Sequence, residues 1–231
     1  MTKQIASEYV IRFTRWQRAQ HLFMIITFVG LLLTGLPQKW PQLHISVLTV
    51  DFMGGIFAAR WLHRALGIGM TLLAVAHVTT VLRYLLIERG KPTMFITRRD
   101  FTDAIDQLQY YLGRRSTEPR FGRFEFRQKF EYWGLLMGTM VMIGSGFILI
   151  YPMQFARFLP AELIPAAKVM HSYEAMLAMS IVIVWHMYSA IFNPHAFPLD
   201  RTIFTGKISK DRLREEHPLE YEELFGPTED Q

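Results

Sequence analysis

The fold class that this sequence predicts is all-α: an integral membrane four-helix bundle, a single domain over residues 1–231 with N and C termini cytoplasmic. Three observations predict it. Four segments of roughly 18 to 25 residues are almost free of charge, each long enough for a helix to cross a hydrocarbon core of ~30 Å. Lys and Arg crowd the connections on one side of those segments. Histidines, costly inside hydrocarbon, recur within the segments at matched spacing.

The first span is expected at about 17–37, with "HLFMIITFVGLLLTGL" as its apolar run and "LPQKWP" as its end. A polar lead, Met1 to Arg18, and the absence of a small-residue cleavage site argue against a cleavable signal peptide. Leu43 to Ala59 is fairly apolar but contains Asp51 and Gly54-Gly55, which suits a turn or a segment in the outer interface rather than a fifth span. The second span is expected at about 62–86. A cytoplasmic loop over 88–129 follows, punctuated by Pro92, Pro119 and Gly122, and "DFTDAIDQLQYYLG" within it reads as an amphipathic surface helix. The third and fourth spans are expected at about 131–152 and 169–192, and a polar cytoplasmic tail at 200–231, set against the membrane face or a partner.

Orientation follows from the basic residues. Four lie in the N-terminal lead, eleven between Arg83 and Lys129, and five after Leu199; the other connections hold only Lys39, Arg60, Arg64, Arg157 and Lys168. Twenty against five is a positive-inside bias, so the termini and central loop are assigned to the cytoplasm. The net charge of +5 is therefore topogenic and calls for no nucleic-acid partner. Trp16, Trp40, Trp61 and Trp133 fall near the span ends as interface anchors. There is also a faint repeat: "FVGLLLTGLPQKWP" in the first span resembles "MVMIGSGFILIYP" in the third, while the second and fourth spans each carry a histidine pair. An old duplication of a helix hairpin would produce that pattern.

The chain has no Cys. That excludes disulfides, Cys-ligated zinc or iron–sulfur centres, a thiol nucleophile and covalently attached c-type haem in this chain. The chemistry must then lie with the histidines. His63 and His77 are fourteen residues apart in the second span, and His171 and His186 fifteen apart in the fourth. At 100° and 1.5 Å per residue those offsets leave about −40° and +60°, with about 21–22 Å between the members of each pair. Both spans run from outside to inside, which sets His63 level with His171 and His77 level with His186. Facing imidazoles can ligate an iron porphyrin from both sides, and bis-His haem needs no cysteine. Packing histidines are the bland alternative; a metal-ion or proton transporter is another, with Glu174 the only carboxylate near the pairs. His21, at the cytoplasmic start of the first span, has a depth that also reaches the inner layer, and spacing does not decide between His21 and His77. His44, His195 and His217 fall in loops and read as solvated.

"RFTRWQRAQHLFMIITFVGLLLTG", the outer "LHR", "GRFEFRQKFEYWGLL" leading into the third span, and "HMYSAIF" before a basic tail resemble the membrane cytochrome b subunits of formate dehydrogenases. They are also similar to the related hydrogenase and thiosulfate-reductase subunits, over nearly the whole chain. The resemblance implies two b haems, a quinone site (menaquinone or ubiquinone) near the cytoplasmic side, and an iron–sulfur or multihaem c-type partner subunit at the periplasmic face. It implies His21 and His186 for the inner haem, and His63 and His171 for the outer. "LHRALGIGMTLLAVAH" instead resembles the second span of the cytochrome b in quinol–cytochrome c oxidoreductases, and under that scheme His77 replaces His21. Both schemes remain open here.

Supporting roles follow by position. Arg60, Arg64 and Lys168 at the outer end and Arg83 nearer the inside are candidates for haem propionates. Gln128 and Glu131, before the third span, are candidates for quinone contact, and Glu174 for a proton relay. Gly30, Gly35, Gly67, Gly69, Gly144 and Gly146 suit close approach of a helix or a porphyrin. Taken together, these features predict a dihaem cytochrome b of the bacterial or archaeal cytoplasmic membrane, passing electrons between quinone and a partner redox subunit. The rivals are a haem-free anchor or assembly subunit and a stand-alone quinone-linked oxidase. A reduced-minus-oxidised spectrum of the purified chain is expected to show Soret and alpha bands; a haem-free anchor shows neither.

Overall fold

Each of the four apolar segments is helical because a backbone surrounded by hydrocarbon can satisfy its N–H and C=O groups only from within. In the computed structural model, which describes residues 8–193 and 196–227, four helices are long and apolar enough to cross a membrane. They are α1 (Arg15–Lys39), α3 (Ile56–Leu86), α5 (Phe126–Ile150) and a last helix that begins as α7 (Leu163–Ile181). All begin before the expected boundaries. Hydropathy marks the width of the hydrocarbon, whereas the hydrogen-bond ladder runs on into the interface. His195 lies outside the described residues.

Residues 19–89 and 135–187 form one compact unit. Between α1 and α3 lies α2 (His44–Phe52), nine residues and too short to span. Gly54 and Gly55 then turn the chain at φ +89° and +97°, left-handed values that only glycine adopts without strain. The expected turn at this Gly-Gly pair is therefore present, with a short helix rather than irregular chain before it. Beyond α5, α6 (Pro152–Phe155) adds one turn before α7. From Val182 to His186, and again from Tyr188 to Phe192, the last helix widens to π-helical turns. Burial in this unit is the reverse of a water-soluble core. Thr27, Thr34 and Ser145 are each 1% exposed, while Ile26, Leu72 and Leu177 exceed half. Small and hydroxyl side chains face the helix interfaces and large aliphatic ones face lipid. Thr27, Thr34 and Ser145 each donate to the carbonyl four residues back, at 2.7–2.8 Å, so no hydroxyl proton is stranded.

The described parts of residues 1–18, 90–134 and 188–231 form the other unit. Strand β1 (Tyr9–Ile11) pairs antiparallel with β2 (Lys207–Ser209), Val10 opposite Ile208. Gly206 ends α8 (Thr202–Thr205) at φ +79°, and a Cβ there would meet the Phe13 carbonyl at 2.7 Å. Ser209 caps α9 (Lys210–Glu216) by accepting from Arg212 N–H at 3.3 Å, and α10 (Pro218–Phe225) follows. The expected surface helix is α4 (Arg98–Tyr111). Its first turn carries Asp100, which accepts from Thr97 N–H at 2.6 Å and pairs with Lys129 at 2.7 Å.

Within the tail His217, expected to be solvated, is 3% exposed. It sits in a buried ion cluster that joins three remote segments. Arg12 Nη1 donates to Glu220 at 2.5 Å and Arg12 Nη2 to the Arg123 carbonyl at 2.5 Å. Arg123 Nη1 donates to Glu220 at 2.9 Å and Nη2 to the Arg12 carbonyl at 2.6 Å. Arg12 Nη2 lies 2.9 Å from His217 Nε2, and His217 Nδ1 lies 2.7 Å from the Gly122 carbonyl. A carbonyl only accepts and a guanidinium only donates, so the imidazole is neutral with its proton on Nδ1. Nothing in the local sequence marks His217 for burial; three segments have to converge before it is enclosed.

Burial, and next the Arg12 charge, push His217 down to about 3. The unfolded chain, with an ordinary histidine near 6.5, binds more protons than the folded one between those values. Stability of this unit is thus full above about pH 6.5 and falls as pH drops toward 3, by a total on the order of 5 kcal/mol. Thermal unfolding followed from pH 7 to pH 4 is expected to show this decline in the parent and a flatter profile in His217→Gln, which has no proton to gain.

Candidate functional site

The helices bring four histidines together in two pairs. His63 of α3 faces His171 of α7, ring centroids 6.2 Å apart and planes at 74°. His21 of α1 faces His186, at 6.1 Å and 40°. All four rings are half-buried. His77 lies with Gln20, its Nδ1 3.3 Å from Gln20 Oε1, while Gln20 Nε2 reaches Thr80 Oγ1 at 3.4 Å. Since Gln20 directly precedes His21, His77 and His21 belong to the same stretch of the bundle. His186 occupies the first π-helical segment. A π turn rotates each residue by less than the 100° of an α-helix, which reduces the +60° offset between His171 and His186 that α-helical arithmetic predicts.

These spacings can be tested against a shared iron. A metal–imidazole bond is about 2 Å and the ring nitrogen lies roughly 1 Å from its centroid, so two imidazoles on one iron stand about 6 Å apart. Both pairs meet that spacing. Among the described residues no three His, Cys, Asp or Glu side chains converge in a metal-ion cluster. The donor set is two pairs, the set a bis-imidazole porphyrin iron needs.

Each ring of the His63–His171 pair is held by a hydroxyl. Thr34 Oγ1 of α1 lies 2.8 Å from His63 Nδ1, and Ser145 Oγ of α5 lies 2.9 Å from His171 Nδ1. Two of the glycines act on these rings: a Cβ at Gly35 would come within 3.0 Å of His63 Cε1, and one at Gly146 within 3.4 Å of His171 Cε1. Gly30 lets α1 approach α3, since a Cβ would meet Leu66 Cδ1 at 2.7 Å, and Gly69 would make ordinary contact with Phe23 and Thr27. At Gly67 and Gly144 an added Cβ meets nothing within 4 Å. Glu174 packs its carboxylate against Gly138 of α5, where a Cβ would collide with Oε1.

The charged candidates separate. Arg60, Arg64 and Lys168 are exposed. Arg83 pairs with Glu88 at 3.2 Å on an exposed stretch, a pair worth at most about 1 kcal/mol. Sequence reasoning passed over Lys39 as a topology marker. It crosses from the end of α1 to α7, where Nζ donates to Ser172 Oγ at 3.1 Å and sits 4.1 Å from the Tyr173 ring, one and two residues past His171. Gln128 accepts from Glu125 N–H at 3.3 Å in the first turn of α5, a capping role; Glu131 is half-buried one turn on. His44 begins α2 and is exposed. Of the positions that reasoning missed, Thr34 and Ser145 carried one signal: they align in the faint repeat, "TG" against "SG".

Residues 12–205 match the family model described as prokaryotic cytochrome b561. The chain is 22% identical over 218 residues to the "Formate dehydrogenase, nitrate-inducible, cytochrome b556(Fdn) subunit" of Escherichia coli (strain K12), covering 94% of this chain and 93% of that protein. It is 24% identical over 223 residues to the "Formate dehydrogenase, cytochrome b556(fdo) subunit" of the same strain, covering 95% of each. The sequence resemblance to formate dehydrogenase cytochrome b subunits is borne out.

Proposed function

The chain belongs to the prokaryotic cytochrome b561 family, a multi-pass membrane cytochrome with haem b, and from that premise we propose that it is the dihaem subunit through which electrons cross the membrane between quinone and a partner redox subunit. The single observation that carries this reading is the pair of imidazole pairs at 6.1 and 6.2 Å, spaced for one iron each. His63 and His171 are the outer ligands, and His21 and His186 the inner ones. His77, turned to Gln20, is a neighbour of the inner site rather than its ligand. The relatives' names and the absence of Cys support the same partner: a formate dehydrogenase-type complex whose iron–sulfur subunit takes up what this chain cannot hold. The positive-inside bias supports cytoplasmic termini and an inner haem toward the cytoplasm.

Haem b, when bound, supplies one-electron exchange without proton transfer of its own. The chain's residues do the rest. The four histidines set the number and height of the redox centres. Lys39, with Arg60 and Arg64, supplies cations at the outer end for propionate carboxylates, and its anchorage on Ser172 holds it beside His171. Large aliphatic side chains keep water out of the bundle. Glu131 is the group of the first α5 turns best placed to exchange a proton with quinone, while Gln128 acts through the helix start. Arg83, paired with Glu88, is assigned to topology.

Pyridine-haem quantification on the purified chain and its variants tests the assignment. The parent is expected to hold two haems, His63→Ala, His171→Ala, His186→Ala and His21→Ala one each, and His77→Ala two. A loss in His77→Ala with full retention in His21→Ala would move the inner ligand to His77. Retention of two haems in both variants would overturn the inner assignment under either scheme.

A further inference from the structure

The two outer histidines are held in the same way, by residues whose chemistry leaves one outcome. A threonine or serine hydroxyl has a single proton to donate. Thr34 Oγ1 places it on the Gly30 carbonyl at 2.7 Å, with the Leu31 carbonyl at 3.2 Å, and Ser145 Oγ places it on the Val141 carbonyl at 2.7 Å, with Met142 at 3.3 Å. Each oxygen also lies within 3 Å of an imidazole Nδ1, at 2.8 Å for His63 and 2.9 Å for His171. With that proton given to the carbonyl the oxygen accepts from Nδ1, and the Leu31 and Met142 carbonyls, which also bond His63 and His171, can only accept as well. Nδ1 therefore carries the ring proton, and the lone pair of each ring is on Nε2. Both hydroxyls are 1% exposed, so no water competes for the bond. The residue after each hydroxyl is glycine, and a side chain there would press on Cε1 of the same ring. Hydroxyl and glycine together make one clasp, used by α1 on α3 and again by α5 on α7. The clasp is the common element of the repeat between the first and third spans.

We propose that Thr34 and Ser145 are the positioning residues of the outer haem site: each locks its histidine in the Nδ1–H tautomer, points the Nε2 lone pair into the gap between the rings, and sets how strongly that nitrogen donates. The proposal rests on the assignment of His63 and His171 as outer ligands. Its chemistry is that of a ligand's partner. An acceptor on Nδ1–H raises the basicity of Nε2, favours the ferric iron and lowers the midpoint potential, and partners of this kind are typically worth about 10–100-fold in metal affinity. A hydroxyl gives a milder push than a carboxylate because it is neutral.

The test compares Thr34→Val and Ser145→Ala with the conservative Thr34→Ser and Ser145→Thr, each purified in detergent and followed by haem quantification and potentiometric titration of the alpha bands. The expected result in Thr34→Val and Ser145→Ala is a midpoint shifted upward for one haem, or about a 10–100-fold weaker retention of it. The second haem is expected to stay at the parental value, which also reports that the bundle is folded. The conservative variants are expected to restore the parental potential. Unchanged potentials and haem content in both Thr34→Val and Ser145→Ala would overturn the proposal. So would a Thr34→Ser that behaves like Thr34→Val, because packing volume rather than the hydroxyl would then be responsible. A His63→Ala variant that keeps two haems would instead overturn the outer-ligand assignment itself, and the two failures are thereby told apart.

Discussion

A polar group in hydrocarbon has no water to turn to, and every polar atom in the spans must find its partner inside the protein. That constraint makes the spans helical and returns the protons of Thr27, Thr34 and Ser145 to carbonyls four residues back. It also accounts for where the histidines stand. An imidazole has one nitrogen that donates and one that accepts, and both need an address. At the His63–His171 pair each Nδ1 meets a hydroxyl on the neighbouring helix.

The same demand is met with charge in the other unit. Arg12, Arg123, Glu220 and His217 are brought in from three stretches of chain and satisfy one another almost completely. Removing one partner of such a cluster leaves an uncompensated buried charge, which is far more damaging than the net value of the pair suggests. Two of the segments it joins are stretches in which the family resemblance was seen, "RFTRWQRAQH" and "GRFEFRQKF". Part of that motif is therefore structural, a clamp on the N-terminal strand and the tail, and not a ligand set.

Two hairpins carry out one function twice. In each, the first helix contributes a hydroxyl–glycine dipeptide and the second a histidine. His63 and His171 then meet across the bundle, each with its clasp behind it. The arrangement holds both rings by the same rule. The inner pair departs from it: His21 comes from a first helix, and His186 stands in a widened, π-helical turn of the last.

The spans, their number, the surface helix α4, the Gly-Gly turn and the family were legible in the sequence, because hydropathy, charge bias and turn chemistry are local properties. His63, His171 and His186 stood out in the sequence because ionisable residues in hydrocarbon need a reason. The partner of His186 did not. Spacing along one helix says how residues are arranged around its own axis and not which neighbouring helix faces them, and it assumes 100° per residue where the last span is π-helical. Thr34 and Ser145 went unmarked and Lys39 read as a topology marker, since what distinguishes them is the side chain each meets on another helix. His217 read as solvated because it stands in a polar tail, and it is enclosed only where β1, the segment around Gly122 and α10 converge. The sequence by itself determined that this chain crosses a membrane with histidines inside it. Tertiary structure alone decided which imidazoles face one another and which hydroxyl His63 and His171 each meet, because those are distances between elements that no periodicity along the chain encodes.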